Sequence, residues 1–376
     1  MGLFMDGQGI PISMCINPGS DNEQKCAVPL EEKIVRMFEG KPFIYCADAG
    51  LGSLNIRKFN SMGGRAFIVT QSVKKLSNVL QEAVFNDYDY RRLSDDSKMT
   101  IKHMKEFDRH HKDNRELYDD EVYKVIIADR AIDVGLTEEK TFKNGKTRNV
   151  KSMALLKQRI IITFSRKMME YQRHIRNVQV ERAKKILKEK NVEDIKKGPH
   201  DVKRFIKRIS IGKNGEKASD HYSIDQSVID NEEKYDGYYA VATNLKGKAC
   251  DILAINSKRY KIEDCFRIMK TNFSARPVLH RLRNRVIAHF LICYTALLIY
   301  RLLEVRLDRY GTHFTTDEIL DTLRNMNVIN AQDAFYAAAY NSSQVCTAFN
   351  GLFDLGLDKK YYLPKELHKK IKNILK

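Results

Sequence analysis

The sequence predicts an α/β protein built on a mixed sheet, and three strand-like stretches carry this prediction. Residues 43–47 form a buried-type strand that ends at Asp48, and residues 66–70 form a second one. A third strand, residues 238–243, re-enters the core after a long polar and charged segment of mixed character. Residues 256–270, which contain neither Pro nor Gly, predict a helix directly after that strand.

The predicted helix over residues 256–270 places four charged side chains on one face. At about 3.6 residues per turn, a narrow sector contains Arg259, Glu263, Arg267 and Lys270. The adjoining stripe is apolar and consists of Ile262, Phe266 and Met269. Spacing alone leaves two interpretations open. One is a solvated face with i,i+4 ion pairs, and the other is a metal-binding carboxylate beside phosphate-binding cations.

The spacing of these residues resembles the glutamate-helix signature of insertion-sequence DDE transposases of the IS-four type. Arg259 is followed by Glu263 after three residues and by Lys270 after six more. The family signature opens with a Tyr, and Asn256 occupies that position here. Two further matching features are Phe266-Arg267 and, before another long predicted helix, Arg276-Pro277.

This resemblance implies a ribonuclease H-like core in which two Asp and one Glu hold divalent metal. By this resemblance, Glu263 is a metal ligand. Asp48 is a second metal ligand, because Ala47-Asp-Ala-Gly-Leu followed by Asn55 resembles the family's second-aspartate motif. The residues alone leave open that Asp48 caps the next short helix. The expected cofactor is Mg²⁺, or Mn²⁺, since such cations prefer carboxylate oxygens. The two carboxylates are expected to converge on one crevice.

The predicted DNA contacts come from two parts of the chain. By resemblance, Arg259 and Lys270 hold phosphates of the transposon end, Arg276 extends this set, and Arg267 is either a DNA contact or a structural cation. Independently, a long polar helix from about residue 165 is expected to carry two more contacts, Arg173 and Arg176. That helix is either a solvated connection or a strip along DNA phosphates.

Composition favours a polyanionic partner and a cytoplasmic location. The 376 residues carry a formal net charge of +18, which most simply indicates nucleic acid. The seven cysteines lack metal-site spacing, so reduced thiols are expected, and the first residues lack a secretory signal. The apolar stretch 286–303 is bounded by arginines, which predicts a buried core helix and no membrane span.

Four segments are predicted. Residues 1–71 and 235–310 form the two parts of the catalytic core, 72–234 form a mixed α+β insertion, and 311–376 form a C-terminal helical region. In that last region we expect helices over residues 316–325, capped by Thr316, over the Ala337-Ala-Ala tract, and from residue 365 onward.

The chain is expected to lack one element of its core. Residues 2–16 read as a hairpin, and a ribonuclease H-like sheet has its first strand, with the first catalytic aspartate, before that hairpin. The chain therefore looks truncated at its start, and residues 1–376 alone are expected neither to cut nor to join DNA.

Three classes of function follow from these patterns. The first is a DDE transposase segment that binds transposon-end and target DNA, works as a homodimer on paired ends, and in the complete protein catalyses strand cleavage and transfer. The second is a catalytically inactive, transposase-derived DNA-binding fragment without the first aspartate. The third is an unrelated basic structural or membrane-associated protein.

Overall fold

The described part of the chain contains both strands and helices, in a mixed order. The computed structural model describes residues 1–38, 41–141, 147–188, 201–211, 219–309, 311, 313–353, 356 and 359–374. The first elements are β1 (Gly2–Met5), β2 (Pro11–Cys15), α1 (Glu23–Met37), β3 (Ile44–Ala47), α2 (Leu54–Phe59), β4 (Ala66–Thr70), α3 (Asn78–Phe85), β5 (Arg91–Arg92), α4 (Ile101–Glu106) and α5 (Arg115–Asp119). The middle elements are β6 (Val122–Ile127), β7 (Arg130–Thr141), β8 (Thr147–Leu156), β9 (Arg159–Phe164), α6 (Arg166–Lys188), β10 (Ile206–Ile211), β11 (Ser219–Ile224), α7 (Gln226–Glu233), β12 (Tyr238–Thr243) and α8 (Ala249–Ser257). The last elements are α9 (Tyr260–Thr271), α10 (Arg283–Arg309), α11 (Thr316–Asn325), β13 (Val328–Ala331), β14 (Phe335–Ala338), α12 (Gln344–Phe353), β15 (Tyr361–Tyr362) and α13 (Pro364–Ile374).

Two compact units account for this order, and they do not coincide with the four segments expected from the sequence. The unit Phe38–Asn256, here the sheet unit, is continuous in sequence. The other, here the terminal unit, combines Met1–Met37 with Ser257–Lys376. Strands β5, β6 and β9 of the expected insertion lie in the same sheet as β3 and β4, because strand pairing and not composition decides which segments belong together.

The sheet unit is built on one six-stranded mixed sheet, which confirms the predicted α/β class. Its strand order is β3-β4-β12-β9-β6-β5, with β3 parallel to β4 and the other neighbours antiparallel. The central strands are near-continuous apolar runs, which is typical of strands buried on both faces. Ile68, Ile161 and Val241 from three of these strands pack with Ile252 of α8.

Two smaller hairpins complete the sheet unit. β10 pairs with β11, and Phe205 and Ile206 at this hairpin pack with Val180 and Ala183 of α6. β7 and β8 form a long antiparallel ribbon whose pairing shifts between Asp133 and Thr137.

The terminal unit has a helical core to which the N-terminal hairpin is attached. β1 and β2 pair antiparallel, as the sequence predicted. Met1, Leu3 and Met5 pack against a cluster of buried side chains contributed by four helices: Cys265, Ile268 and Met269 of α9, Cys293, Leu297 and Tyr300 of α10, Ile319 of α11, and Val345 and Phe349 of α12. The hairpin is therefore held by side chains that lie more than 250 residues later in the chain.

A buried arginine connects three parts of the terminal unit. Arg301 of α10 is 4% exposed, and its Nε donates to the Gly9 carbonyl at 3.1 Å. Its Nη1 pairs with Glu304 at 2.6 Å and with Asp264 of α9 at 3.3 Å. Gly9 has a φ of +88°, and a β-carbon there would collide with the Arg301 guanidinium and lie 2.9 Å from Lys261. Both the turn conformation and this close approach therefore require glycine.

Helix α10 is buried on one side only, which corrects the expectation of a core helix. Cys293, Leu297 and Leu307 are buried, whereas Ile292 is 69% and Ile299 63% exposed. It is the one helix in the described ranges long and apolar enough to cross a membrane, and a single such helix is weak evidence for a span. Its buried side packs into the helical core and contains the ion-paired Arg301.

Two local predictions were wrong. The Ala337-Ala-Ala tract is not helical, because Ala337 and Ala338 belong to β14, where pairing with β13 and β15 overrides helix propensity. The cap of α11 is Thr315, which exchanges hydrogen bonds with Glu318 in a capping box.

We expect Arg301→Met to lower the free energy of unfolding by about 3–5 kcal/mol, because removing one partner leaves buried carboxylates uncompensated. Urea denaturation followed by circular dichroism measures this loss. Arg306→Met is the matched control, since Arg306 is exposed on the same helix and its removal is expected to cost less than about 0.5 kcal/mol. Equal losses in the two variants would contradict the structural role of Arg301.

Candidate active site

Asp48 lies where the sequence predicted, directly after β3 and exposed to solvent. Because β3 and β4 are parallel, Asp48 is at the edge of the sheet where both strands end. Its Oδ1 accepts a hydrogen bond from the backbone N–H of Leu51 at 3.0 Å, so the carboxylate also stabilises the turn that follows. The N-cap of α2 is Ser53, so the interpretation of Asp48 as the cap of that helix is wrong. The bond to Leu51 leaves room for a metal ion, since a carboxylate oxygen has more than one lone pair.

Arg57, which sequence analysis missed, holds the loop that follows Asp48. Its Nε donates to the Gly52 carbonyl at 3.0 Å, and its two Nη atoms donate to the side-chain oxygens of Gln71 and Gln158. Burial, with the nearby charge of Arg130 second, lowers the pKa of the Arg57 guanidinium to about 10. Arg57 thus connects the end of β3 to the segments after β4 and before β9. The sequence does not indicate this role, because Arg57 belongs to no recognisable motif.

The predicted glutamate helix is split in two. α8 ends at Ser257 and α9 begins at Tyr260, so Arg259 lies at the N-cap of α9 and not within a continuous helix. No Gly or Pro marks this break, which is why the sequence did not reveal it. Within α9, the side chains of Glu263, Arg267 and Lys270 remain on one exposed face at i, i+4 and i+7.

The cations around Glu263 differ in what they contact. Arg267 donates to Asp264 Oδ1 at 2.7 Å, and this hydrogen bond raises the pKa of its guanidinium. This pairing supports the structural interpretation of Arg267. Lys270 and Arg276 are exposed and have no hydrogen-bond or ion-pair partner among the described residues. Arg259 is half-buried, and its Nε lies buried without a hydrogen-bond partner in the described part of the chain.

The two arginines singled out on α6 converge on one buried carboxylate. Arg176 is 4% exposed, and its Nη atoms donate to both carboxylate oxygens of Asp236 at 2.8 and 2.6 Å. Hydrogen bonding to Asp236 raises the pKa of the Arg176 guanidinium. Arg173 is about half exposed and lies 3.5 Å from the same aspartate. Arg176 is therefore a structural residue, while Arg173 retains an exposed part.

Asp48 and Glu263 belong to different compact units, Asp48 to the sheet unit and Glu263 to the terminal unit. Their convergence therefore stays a prediction. Over the described ranges, no group of three or more His, Cys, Asp or Glu side chains forms a cluster that could hold a metal ion. Each of the two carboxylates is exposed and offers the hard oxygen donors that Mg²⁺ prefers.

Comparison with known families identifies the class of protein to which this chain belongs. Residues 1–299 match the family described as transposase DDE domain. Because the match spans more than half of the chain, the chain belongs to this family, and it supports a transposase function. Members of the family typically use divalent metal. A search of curated proteins found no match to the chain.

We expect Arg176→Met to destabilise the fold by about 3–5 kcal/mol, because Asp236 is left as an uncompensated buried charge. Thermal and urea unfolding of the purified variant measure this effect. Arg182→Met on the exposed side of the same helix is the control and is expected to leave stability within about 0.5 kcal/mol of the parent. An Arg176→Met protein that is fully stable and binds DNA less tightly would instead make Arg176 a DNA contact.

Proposed function

We propose that this chain is a transposase catalytic segment of the IS-four type, which binds the ends of a mobile DNA element and supplies Asp48 and Glu263 to a divalent metal centre. The observation that carries the proposal is the exposed face of α9, where a single carboxylate lies beside Lys270 within a matched DDE domain. The proposed core is ribonuclease H-like, with Asp48 at a parallel strand end in support.

The donor set fits a hard cation. Asp48 and Glu263 are exposed carboxylates, and Leu51 N–H and the Arg57 network limit the movement of the Asp48 loop. When bound, Mg²⁺ or Mn²⁺ would activate the attacking oxygen and stabilise the leaving oxygen in DNA strand cleavage and transfer. The Asp264–Arg301 pair holds α9 against its core and so fixes the direction in which Glu263 points.

Phosphate binding is assigned to the cations that the fold leaves available. Lys270 and Arg276 are exposed, and the half-buried Arg259 makes no ion pair among the described residues, although its Nε is buried. Arg173 contributes through its exposed part, whereas Arg176 is excluded because Asp236 and Glu233 occupy its guanidinium. The net charge of +18 supports long-range attraction to DNA, and we propose a cytoplasmic homodimer on paired ends.

A second candidate function is DNA binding without catalysis. The pair Asp48 and Glu263 supplies two of the three carboxylates that DDE chemistry uses, and the described ranges contain no group of three or more His, Cys, Asp or Glu side chains that could hold a metal ion. Incubating the purified chain with DNA that carries the element's ends and Mg²⁺ separates the two functions. Cleavage that disappears in Glu263→Gln supports catalysis, whereas retention of DNA without cleavage supports the binding function.

We expect Asp48→Asn and Glu263→Gln each to weaken Mn²⁺ binding by about tenfold or more, because each removes a charged oxygen ligand. Titration followed by electron paramagnetic resonance measures the free ion. If the two carboxylates share ions, the double variant loses less affinity than the product of the single losses.

The control for this titration is Glu116→Gln, an exposed glutamate on α5 that we expect to leave Mn²⁺ binding unchanged. Parental affinity in both site variants would contradict the assignment of Asp48 and Glu263. Losses that multiply independently would contradict a shared site.

Duplex binding should be strongly salt dependent, because phosphate neutralisation releases counterions. We expect affinity to fall roughly a hundredfold or more between about 50 and 200 mM salt. Lys270→Gln should reduce the slope of log affinity against log salt by about one. Fluorescence anisotropy with a labelled duplex measures both quantities, and an affinity independent of salt would exclude the electrostatic mode.

A further inference from the structure

The C-terminal sheet of the terminal unit is covered on one face. β14 pairs with β13 on one side and with β15 on the other, both antiparallel. Residues that are paired across strands share a face, so Tyr336 and Tyr362 lie together. The ring of His368 on α13 packs against Tyr336 with centroids 6.4 Å apart, and Tyr362 is 6% exposed. α13 therefore covers this face at Tyr336 and Tyr362, whereas Val328 on β13 is 40% exposed.

The opposite face is open and apolar. Ile329, Ala337 and Tyr361 are paired across the three strands and so lie side by side, and Phe335 lies two residues from Ala337 on the same face. Ile329 is 62%, Phe335 36% and Tyr361 56% exposed. Leu363, two residues after Tyr361, is 55% exposed. Large apolar side chains that lie together at such exposure mark an interaction surface.

Two aromatic rings on this open face are held in a fixed arrangement. The rings of Phe335 and Tyr361 are perpendicular, at 88°, with centroids 5.3 Å apart. The Lys360 ammonium lies 5.9 Å from the Tyr361 centroid. Perpendicular packing restricts the rotation of both rings, so less conformational entropy is lost when a flat partner stacks on the exposed part of Tyr361.

The charge beside this face indicates the chemistry of the partner. Lys359 and Lys360 are exposed and directly precede Tyr361, and Asp333 is exposed in the turn before Phe335. The lysines of α13 follow on the helix that packs on the other face. Glu366 is the one acidic residue among positions 359–374. A partner that suits both features has flat apolar faces for the rings and negative charge for the ammonium groups. Unpaired nucleotides have both, whereas the bases of an intact duplex are stacked on each other and do not expose their faces.

We propose that the open face formed by Ile329, Phe335, Ala337, Tyr361 and Leu363 is a stacking platform for single-stranded DNA. Tyr361 and Phe335 contact unpaired bases, and Lys359 and Lys360 contact the phosphates. This site lies outside the residues that match the DDE domain, and it does not use Asp48 or Glu263. This proposal shares one assumption with the proposed function, namely that the anionic partner of the chain is DNA. It adds a binding mode for unpaired strands.

The test compares labelled oligothymidylate with a labelled duplex of the same length, at one salt concentration, by fluorescence anisotropy on the full chain. Phe335→Leu and Tyr361→Leu keep an apolar side chain and remove the ring. We expect each to weaken single-strand binding by about fivefold or more, while duplex affinity stays within about twofold of the parent. Failure of the proposed DDE function would instead appear as lost duplex binding.

Tyr88→Leu is the matched control, because Tyr88 is 78% exposed in the sheet unit and should leave both affinities unchanged. Unchanged single-strand affinity in both platform variants, with circular dichroism spectra like the parent's, would overturn the proposal. An equal loss for single strand and duplex would do so as well. Sedimentation velocity that shows a parental dimer separating in Tyr361→Leu would assign the face to a second copy of this chain and overturn it too.

Discussion

The buried guanidinium of Arg301 is the contact on which the architecture of the terminal unit depends. An unpaired charge in a protein interior costs several kcal/mol, so the unit must keep Gly9, Asp264 and Glu304 close to this side chain. Burial raises the pKa of the Glu304 carboxyl, while the charge of Arg301 acts in the opposite direction. On α9, Glu263 is exposed, Asp264 follows it, and Cys265 is buried. The ion pair between Asp264 and Arg301 therefore also sets the outward direction of Glu263.

A second arginine has the same task in the sheet unit. Arg176 joins α6 to Asp236, just before β12, and both of its Nη atoms donate to carboxylates. Among the described residues, some cations are thus buried and join elements, while others are exposed. Net charge therefore overstates the number of cations that an anionic partner could contact, and burial separates the two groups.

The sequence was sufficient for elements whose apolar pattern is continuous. β4 and β12 have the bounds that were expected, since a run such as Ala66–Thr70 fits a buried strand and little else. The sequence was insufficient where contacts with residues far away in the chain determine the secondary structure or the burial of a residue. Ala337 is in a strand because β13 and β15 pair with it, and Arg176 is buried because Asp236 lies opposite, 60 positions later. For the candidate site, Asp48 and Glu263 are predictions from the family resemblance, whereas the Arg57 network and the break before α9 depend on backbone geometry that no motif encodes.

The division of the terminal unit between the two ends of the chain has a consequence for its synthesis. The hairpin of β1 and β2 is translated before the sheet unit, but its packing partners on α9 and α10 are translated only after the whole of that unit. At roughly ten residues per second, that interval is on the order of tens of seconds. During this time the sheet unit, which is continuous in sequence, has all of its own partners, while Met1, Leu3 and Met5 have none of theirs. The nascent hairpin therefore presents apolar side chains that a chaperone would be expected to cover until α10 and Arg301 arrive.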